Sequence, residues 1–253
     1  MDHQEPEDRH DHPLYDHGET MPFEKQLAKL AHGSYAKGHG SDADQYTRGT
    51  SYRVHPNALY SDDQITTYQS IYDPSDIVIA HRGTHLSAKD KWNDLKSDLA
   101  FAIGRGGVDK RFRNRRKKTE FIIQDSGAKT VNLTGHSLGG GTVNHAIANS
   151  EIVRNAITSA HTFNAAANPY FKNSQKLTKA QKAQLDNIVT HHRIEGDPVS
   201  EGFKTNLPFG QLKTYDDVAK KTWFDSVLSA TNPFIGFAKR TKNTHGINNF
   251  YVS

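Results

Sequence analysis

Residues 129–149 begin with a strand pattern and end with a helical one, and Gly135-His136-Ser137-Leu138-Gly139 lies between them. Val131 and Leu133 fall on one side of a strand; past the glycines, Val143, Ala146 and Ile147 recur at helical spacing. G-x-S-x-G alone arises by chance in roughly one chain in ten of this length, given ordinary glycine and serine frequencies. Set between a strand and a helix, it acquires a physical meaning. A sharp turn holds the serine in a strained backbone conformation, and small neighbours let strand and helix close around it. The hydroxyl is then expected to stand exposed. The N–H of Leu138 opens the helix, where developing negative charge is stabilised.

The same alternation runs through the chain. Helices are expected at Pro22–Tyr35, Lys89–Ile103, Arg111–Gln124 and Leu177–Leu185, and strands at Asp76–Ala80, Ala156–Phe163 and Asn187–Ile194. Ile77-Val78-Ile79-Ala80 is continuously apolar, as in a strand buried on both faces. Ser51–Thr67 is rich in turn residues and shows no clear period. Strands alternating with helices predict an α/β protein, with a mostly parallel central sheet and helices on both faces. Sites in such sheets form at the carboxyl ends of strands, and Thr84, Ser137 and Asp197 each follow a candidate strand. The 253 residues suit one large domain or two small ones. With 34% apolar residues and a mean hydropathy of −0.77, a core requires a polar fringe outside it. Residues 1–21, rich in His, Asp, Glu and Pro, are expected to be that fringe and disordered, leaving 22–253 as the folded part.

A serine hydroxyl is a poor nucleophile at neutral pH and needs a general base, usually a histidine oriented by a carboxylate. On a sheet of this kind the chain order is Ser, then Asp or Glu, then His. Glu151, Asp186, Glu195, Asp197, Asp216, Asp217 and Asp225 all follow Ser137. Asp197 is favoured because it follows a strand in a tight Gly-Asp-Pro turn, and Glu195 is its rival. His245 is then the one histidine that comes after the acid. His136 lies on the wrong side of the turn to act as base and is expected to pack. A second oxyanion donor should come from the loop after the earlier strand, where Thr84 fits beside Leu138.

The segments I-V-I-A-H-R-G-T, K-W-N-D-L-K-S-D-L, G-H-S-L-G-G-G, T-F-N-A-A-A-N-P, G-D-P-V-S and H-G-I-N-N-F-Y together resemble the class 3 lipases, the fungal triacylglycerol lipase type of α/β-hydrolase. The resemblance spans about residues 22–251. It implies an α/β-hydrolase fold for 22–253, with Ser137 as nucleophile, Asp197 as acid, His245 as base, and Thr84 and Leu138 as oxyanion donors. It implies a carboxylic-ester hydrolase acting on acyl esters of lipids, such as glycerides or phospholipids, with no cofactor. The chain departs from the pattern at His81, where an aromatic is usual, at Asn164-Ala165-Ala166, where the family has G-x-P, and in lacking an H-x-G-F segment before the elbow. In the family, the segment after R-G-T covers the site. Here His85–Trp92 is polar apart from Leu86, Ala88 and Trp92, so weak interfacial activation and a soluble ester, monoglyceride or phospholipid are expected. The apolar stretch 223–238 could equally line an acyl pocket, touch a membrane or pack in the core.

The chain carries a net charge of +4. Much of the excess lies in Lys110–Lys118, whose functional reading is contact with an anionic membrane surface or nucleic acid. Its charges run around the helix instead of forming one stripe with interleaved aromatics, which favours a solvated helix face and disfavours nucleic acid. The absence of cysteine excludes disulfides and a cysteine nucleophile. His10-Asp11-His12 and His191-His192 lack the spacing of a zinc site, and no metal is expected. There is no basic-then-apolar leader and no apolar run of about 18 residues, so a soluble, cytoplasmic protein is the default expectation. A competing reading is a catalytically silent hydrolase-fold protein that binds lipid or membrane surfaces. Peptidase or thioesterase chemistry would use the same three residues.

Overall fold

The computed structural model describes residues 21–36, 41–83, 107–166, 177–197, 199–200, 209–216 and 245–251. Thr84, the covering segment 85–92, the helix expected at 89–103, the apolar stretch 223–238, Asp217, Asp225 and the tail before Met21 lie outside them.

Seven strands form one mixed sheet in sequential order: β1 (Tyr52–Val54), β2 (Ile65–Ser70), β3 (Asp76–His81), β4 (Thr130–His136), β5 (Ile157–Phe163), β6 (Val189–Ile194) and β7 (Gln211–Tyr215). β1–β2 and β2–β3 pair antiparallel, and every later pair is parallel. The expected α/β architecture is present. The antiparallel pair comes from the stretch that showed no period. β2 reads Ile-Thr-Thr-Tyr-Gln-Ser, and its polar residues are buried by side-chain bonds rather than by apolar alternation. Thr67, for instance, donates its hydroxyl to the carbonyl of Tyr60.

The helices are α1 (Phe23–Gly33), α2 (Ser41–Asp44), α3 (Gly107–Ser126), α4 (Leu138–Asn149), α5 (Glu151–Ala156) and α6 (Lys179–Ile188). A parallel sheet in sequential order, with crossovers of the usual right hand, carries all its crossover helices on one face. Alternate residues of the central strands make this visible. Ile77, Ile79, Val131 and Leu133 pack with Ile122 of α3, Val143 and Ile147 of α4, Val153 of α5 and Leu185 of α6. The other face holds Val78, Ala80, Phe163 and Ile194. It is covered by the two ends of the folded chain: Leu27 and Leu30 of α1, with Ile247 and Phe250 of a C-terminal 3₁₀ turn. The late segment is thereby drawn back to the sheet beside the elbow.

α4 begins Leu-Gly-Gly-Gly, a poor helix former by propensity, yet every residue from Leu138 to Ala148 is buried. Tertiary packing makes this helix. On α3, Arg111, Arg113 and Lys117 are exposed, as a solvated face would be, but Arg115 turns inward and is buried. The paired histidines of β6 point to opposite faces. His191 meets the Thr162 hydroxyl and the Phe209 carbonyl, and His192 meets His161 and the Tyr215 hydroxyl. Among the described residues, no cluster of metal-ligating side chains forms and no helix is long and apolar enough to cross a membrane.

Candidate active site

Ser137 sits between β4 and α4 at φ 56°, ψ −127°, a conformation that side chains avoid. Its backbone is held on both sides. The Ser137 N–H donates to the Phe163 carbonyl at the end of β5 (3.0 Å), and the Ser137 carbonyl accepts from Gly141 N–H (3.1 Å) and Ala166 N–H (2.9 Å). Two glycines are sterically required. A Cβ on Gly135 would lie 2.6 Å from the Gly139 carbonyl carbon, and one on Gly139 would strike the His81 carbonyl and lie 2.9 Å from Gly83 N. The expected exposure of the serine is corrected: Ser137 is only 4% exposed, because the ends of β3 and β5 pack closely about the turn. Leu138 opens α4, so its N–H has no acceptor within the helix.

Asp197 and His245 meet across 48 residues. Asp197 lies beyond β6 in a turn closed by its own N–H to the Ile194 carbonyl (3.1 Å), and its carboxylate is fully buried. His245 Nδ1 stands 3.0 Å from Asp197 Oδ1. Asp197 Oδ2 accepts from the N–H (2.9 Å) and the hydroxyl (2.6 Å) of Ser200. Burial alone would raise the carboxyl pKa. The His245 ring and the Ser200 bonds outweigh it and hold Asp197 below the ordinary value. Since the carboxylate can only accept, Nδ1 of His245 carries the proton, and in the neutral ring Nε2 carries the lone pair. That Nε2 is buried with no hydrogen-bond partner among the described residues.

His136 packs, as expected, and its contacts tie the two groups together. Its Nε2 donates to the His245 carbonyl (2.7 Å), its Nδ1 accepts from the Tyr35 hydroxyl (2.9 Å), and the two imidazole rings lie 4.7 Å apart. Burial, followed by the His245 ring, pushes the His136 pKa down to about 3, so it is neutral. His81, at the position where an aromatic was expected, is also neutral, driven to about 3 by burial and by Arg115. Its two ring nitrogens meet the hydroxyls of Thr142 and Thr119.

The structure therefore brings Asp197 to His245 and His245 to the residue before Ser137. Glu195, Glu151 and Asp216 are exposed, and Asp186 is engaged by the Gly210 N–H. Thr84 falls just beyond the last described residue of its segment. Sequence reasoning missed Ser200 and Tyr35. An Asp followed three residues later by Ser is a known local turn pattern and could have indicated the first. Nothing local in the sequence points to the second.

No curated protein sequence matches this chain. Among solved structures, the native Rhizomucor miehei lipase propeptide complex is similar at 13% identity and a TM-score of 0.38, covering 70% of this chain and 61% of that one. A family model for phospholipase-like proteins, the Tle-like phospholipase domain, matches residues 26–237, most of the chain, and the protein belongs to that family.

Proposed function

We propose that this protein is a serine carboxylic-ester hydrolase that cleaves acyl esters of glycerophospholipids. Membership in a phospholipase-like family supports a lipid-ester hydrolase. One observation carries the assignment of residues: a buried His245–Asp197 pair whose histidine is tied, through its carbonyl and the His136 ring, to the residue before a serine strained at φ 56°. The motif order, which resembles that of class 3 lipases, supports the same division of labour.

Ser137 Oγ attacks the ester carbonyl while His245 Nε2 takes its proton. Asp197 keeps Nδ1 protonated and stabilises the imidazolium that forms. Negative charge on the carbonyl oxygen is met by the N–H of Leu138 and by Thr84. Collapse of the tetrahedral intermediate breaks the ester C–O bond, and His245 returns its proton to the leaving alcohol of the lysolipid. Water then attacks the acyl-enzyme. His245 accepts its proton, the fatty acid leaves, and Ser137 Oγ regains a hydrogen. The steps need only these side chains and water.

The test is hydrolysis of a chain-length series of nitrophenyl esters and of phospholipid vesicles by wild type and Ser137→Ala, with covalent labelling by a serine-directed phosphonate. Turnover and labelling that both vanish in Ser137→Ala are expected. A wild type that binds vesicles but neither turns over nor labels would replace this reading with that of a silent lipid-binding protein.

A further inference from the structure

A cavity of about 460 Å³ opens beside the elbow, with Leu138 and Gly83 in its lining. Arg82, from the end of β3, lines it together with Arg111, Arg115 and Lys118 of α3. The last three recur at i, i+4 and i+7, one face of a helix. Charges do run around α3, as its sequence suggests, but one line of them is aimed into this cavity.

None of these four cations forms an ion pair with a carboxylate among the described residues. Arg115 is 6% exposed, and its guanidinium donates to neutral oxygens: Gln64 Oε1 (3.1 Å from Nε), the Arg82 carbonyl and the Thr142 hydroxyl (3.2 Å). Arg82 donates to the Asp63 backbone carbonyl (3.3 Å), and Lys118 donates to the Leu59 carbonyl. Two carboxylates, Asp62 and Asp63, also line the cavity and are engaged locally. Asp62 Oδ1 accepts from the N–H groups of Gln64 (2.8 Å) and Ile65 (2.9 Å), and Asp63 Oδ2 accepts from the Gln64 amide (3.1 Å). Four cations against two carboxylates leave the cavity net positive. A guanidinium buried without an anion is costly, and an anionic group entering the cavity offsets that cost.

We propose that this cavity is the headgroup subsite, in which the phosphodiester of a glycerophospholipid rests on Arg82, Arg111, Arg115 and Lys118 while the acyl ester reaches Ser137. The proposal rests on the ester-hydrolase reading of Ser137. Only a few bonds separate the acyl ester from phosphorus in a glycerophospholipid, and Leu138 belongs both to the cavity wall and to the oxyanion site. The volume lies within the range of small-ligand sites, about 300–1,000 Å³. Paired guanidinium groups match a phosphate in geometry and charge. The consequence is discrimination: a diacylglycerol with the same acyl chains lacks the phosphate and loses these contacts.

Binding tests this apart from chemistry. Ser137→Ala protein is titrated calorimetrically with dihexanoyl glycerophosphocholine below its micelle concentration, with dihexanoylglycerol and with inorganic phosphate. The phospholipid is expected to bind at least about tenfold more tightly than the diacylglycerol. Adding Arg111→Gln and Lys118→Gln, the two cations of α3 that line the cavity and are less buried than Arg115, should remove most of that preference. Equal affinities, or a preference that survives the double substitution, overturn the headgroup subsite. Inorganic phosphate that binds more tightly than the phospholipid also overturns it, in favour of a free-phosphate site. Wild-type turnover of the same two lipids separates the two readings. Preference in binding without turnover breaks the hydrolase assignment alone. Turnover with no preference breaks the subsite alone.

Discussion

Ser137 and Asp197, with the His245 it holds, both stand beyond the carboxyl ends of parallel strands, but different forces hold them there. The serine is fixed by backbone: three main-chain hydrogen bonds, a positive φ, and two glycines that leave no space for a Cβ. The acid and the histidine are fixed by side chains, through one carboxylate that bonds His245 on one oxygen and Ser200 on the other. The elbow is also flanked by two buried neutral imidazoles, His81 and His136, whereas the Asp197 side holds a buried carboxylate. A backbone-built half fails by misfolding. A side-chain-built half fails in chemistry while the fold persists.

Acid separates the two most strongly. His81 and His136 are pushed down to about 3, His161 and His191 to about 4, and His192 to about 2, each chiefly by burial. A histidine with a depressed folded pKa is neutral in both states above about 6.5. Below that value the unfolded chain takes up its proton first, so stability falls by about 1.4 kcal/mol per pH unit per group until the folded pKa is reached. Five such groups together rival the stability of an ordinary domain, about 5–15 kcal/mol, by roughly pH 5. Asp197 has the same sign at a lower window: its stabilisation is present above the ordinary carboxylate range and is lost only as pH falls through its depressed value. Urea midpoints measured from pH 8 to pH 4 should therefore drop steeply below about 6.5. A flat profile down to pH 5 would show that these histidines are not held neutral.

Asp197→Asn probes the other half. One amide oxygen cannot serve both Ser200 and His245, and an NH₂ facing Nδ1 forces the wrong tautomer on the ring. kcat is expected to fall about 10⁴-fold while the fold survives. A fall below tenfold, measured with circular dichroism unchanged, would remove Asp197 from the acid role.

The same division governs how much of the molecule could be read from the sequence. The elbow was legible because its geometry is written in glycines at fixed offsets and in the strand and helix around it. Asp197 and His245 could be named from chain order, since topology brings late segments back to the sheet edge. β1 and β2 were not legible: in β2, Thr67, Gln69 and Ser70 are buried without apolar alternation, held by side-chain bonds such as those of Thr67 to the Tyr60 carbonyl and of Gln69 to Arg53. Arg115 was misread as one more solvated charge of α3, because its three oxygen partners come from β2's approach, the end of β3 and α4. Tyr35 was invisible for the same reason: its partner His136 is 101 residues away.

Gly139→Ala tests the backbone half directly. The added methyl meets the His81 carbonyl and the Gly83 amide, and neither can yield without moving β3. A loss of about 3 kcal/mol is expected, equivalent to a Tm lower by roughly 10 °C for a chain of this size. An unchanged Tm would mean that strand and helix do not close as tightly as the structure has them.

The smallest effect is expected where the halves join. Tyr35→Phe removes the donor to His136 Nδ1 and leaves His136 bonded only to the His245 carbonyl. The His136 ring is then free to tilt, and the histidine loop that it carries shifts with it. Because Tyr35 does not itself line the cavity, kcat should fall about three- to tenfold, roughly the value of one ordinary hydrogen bond, with KM unchanged. If Tm fell while kcat held, Tyr35 would belong only to the scaffold, and the link from α1 through His136 to His245 would carry no positional information.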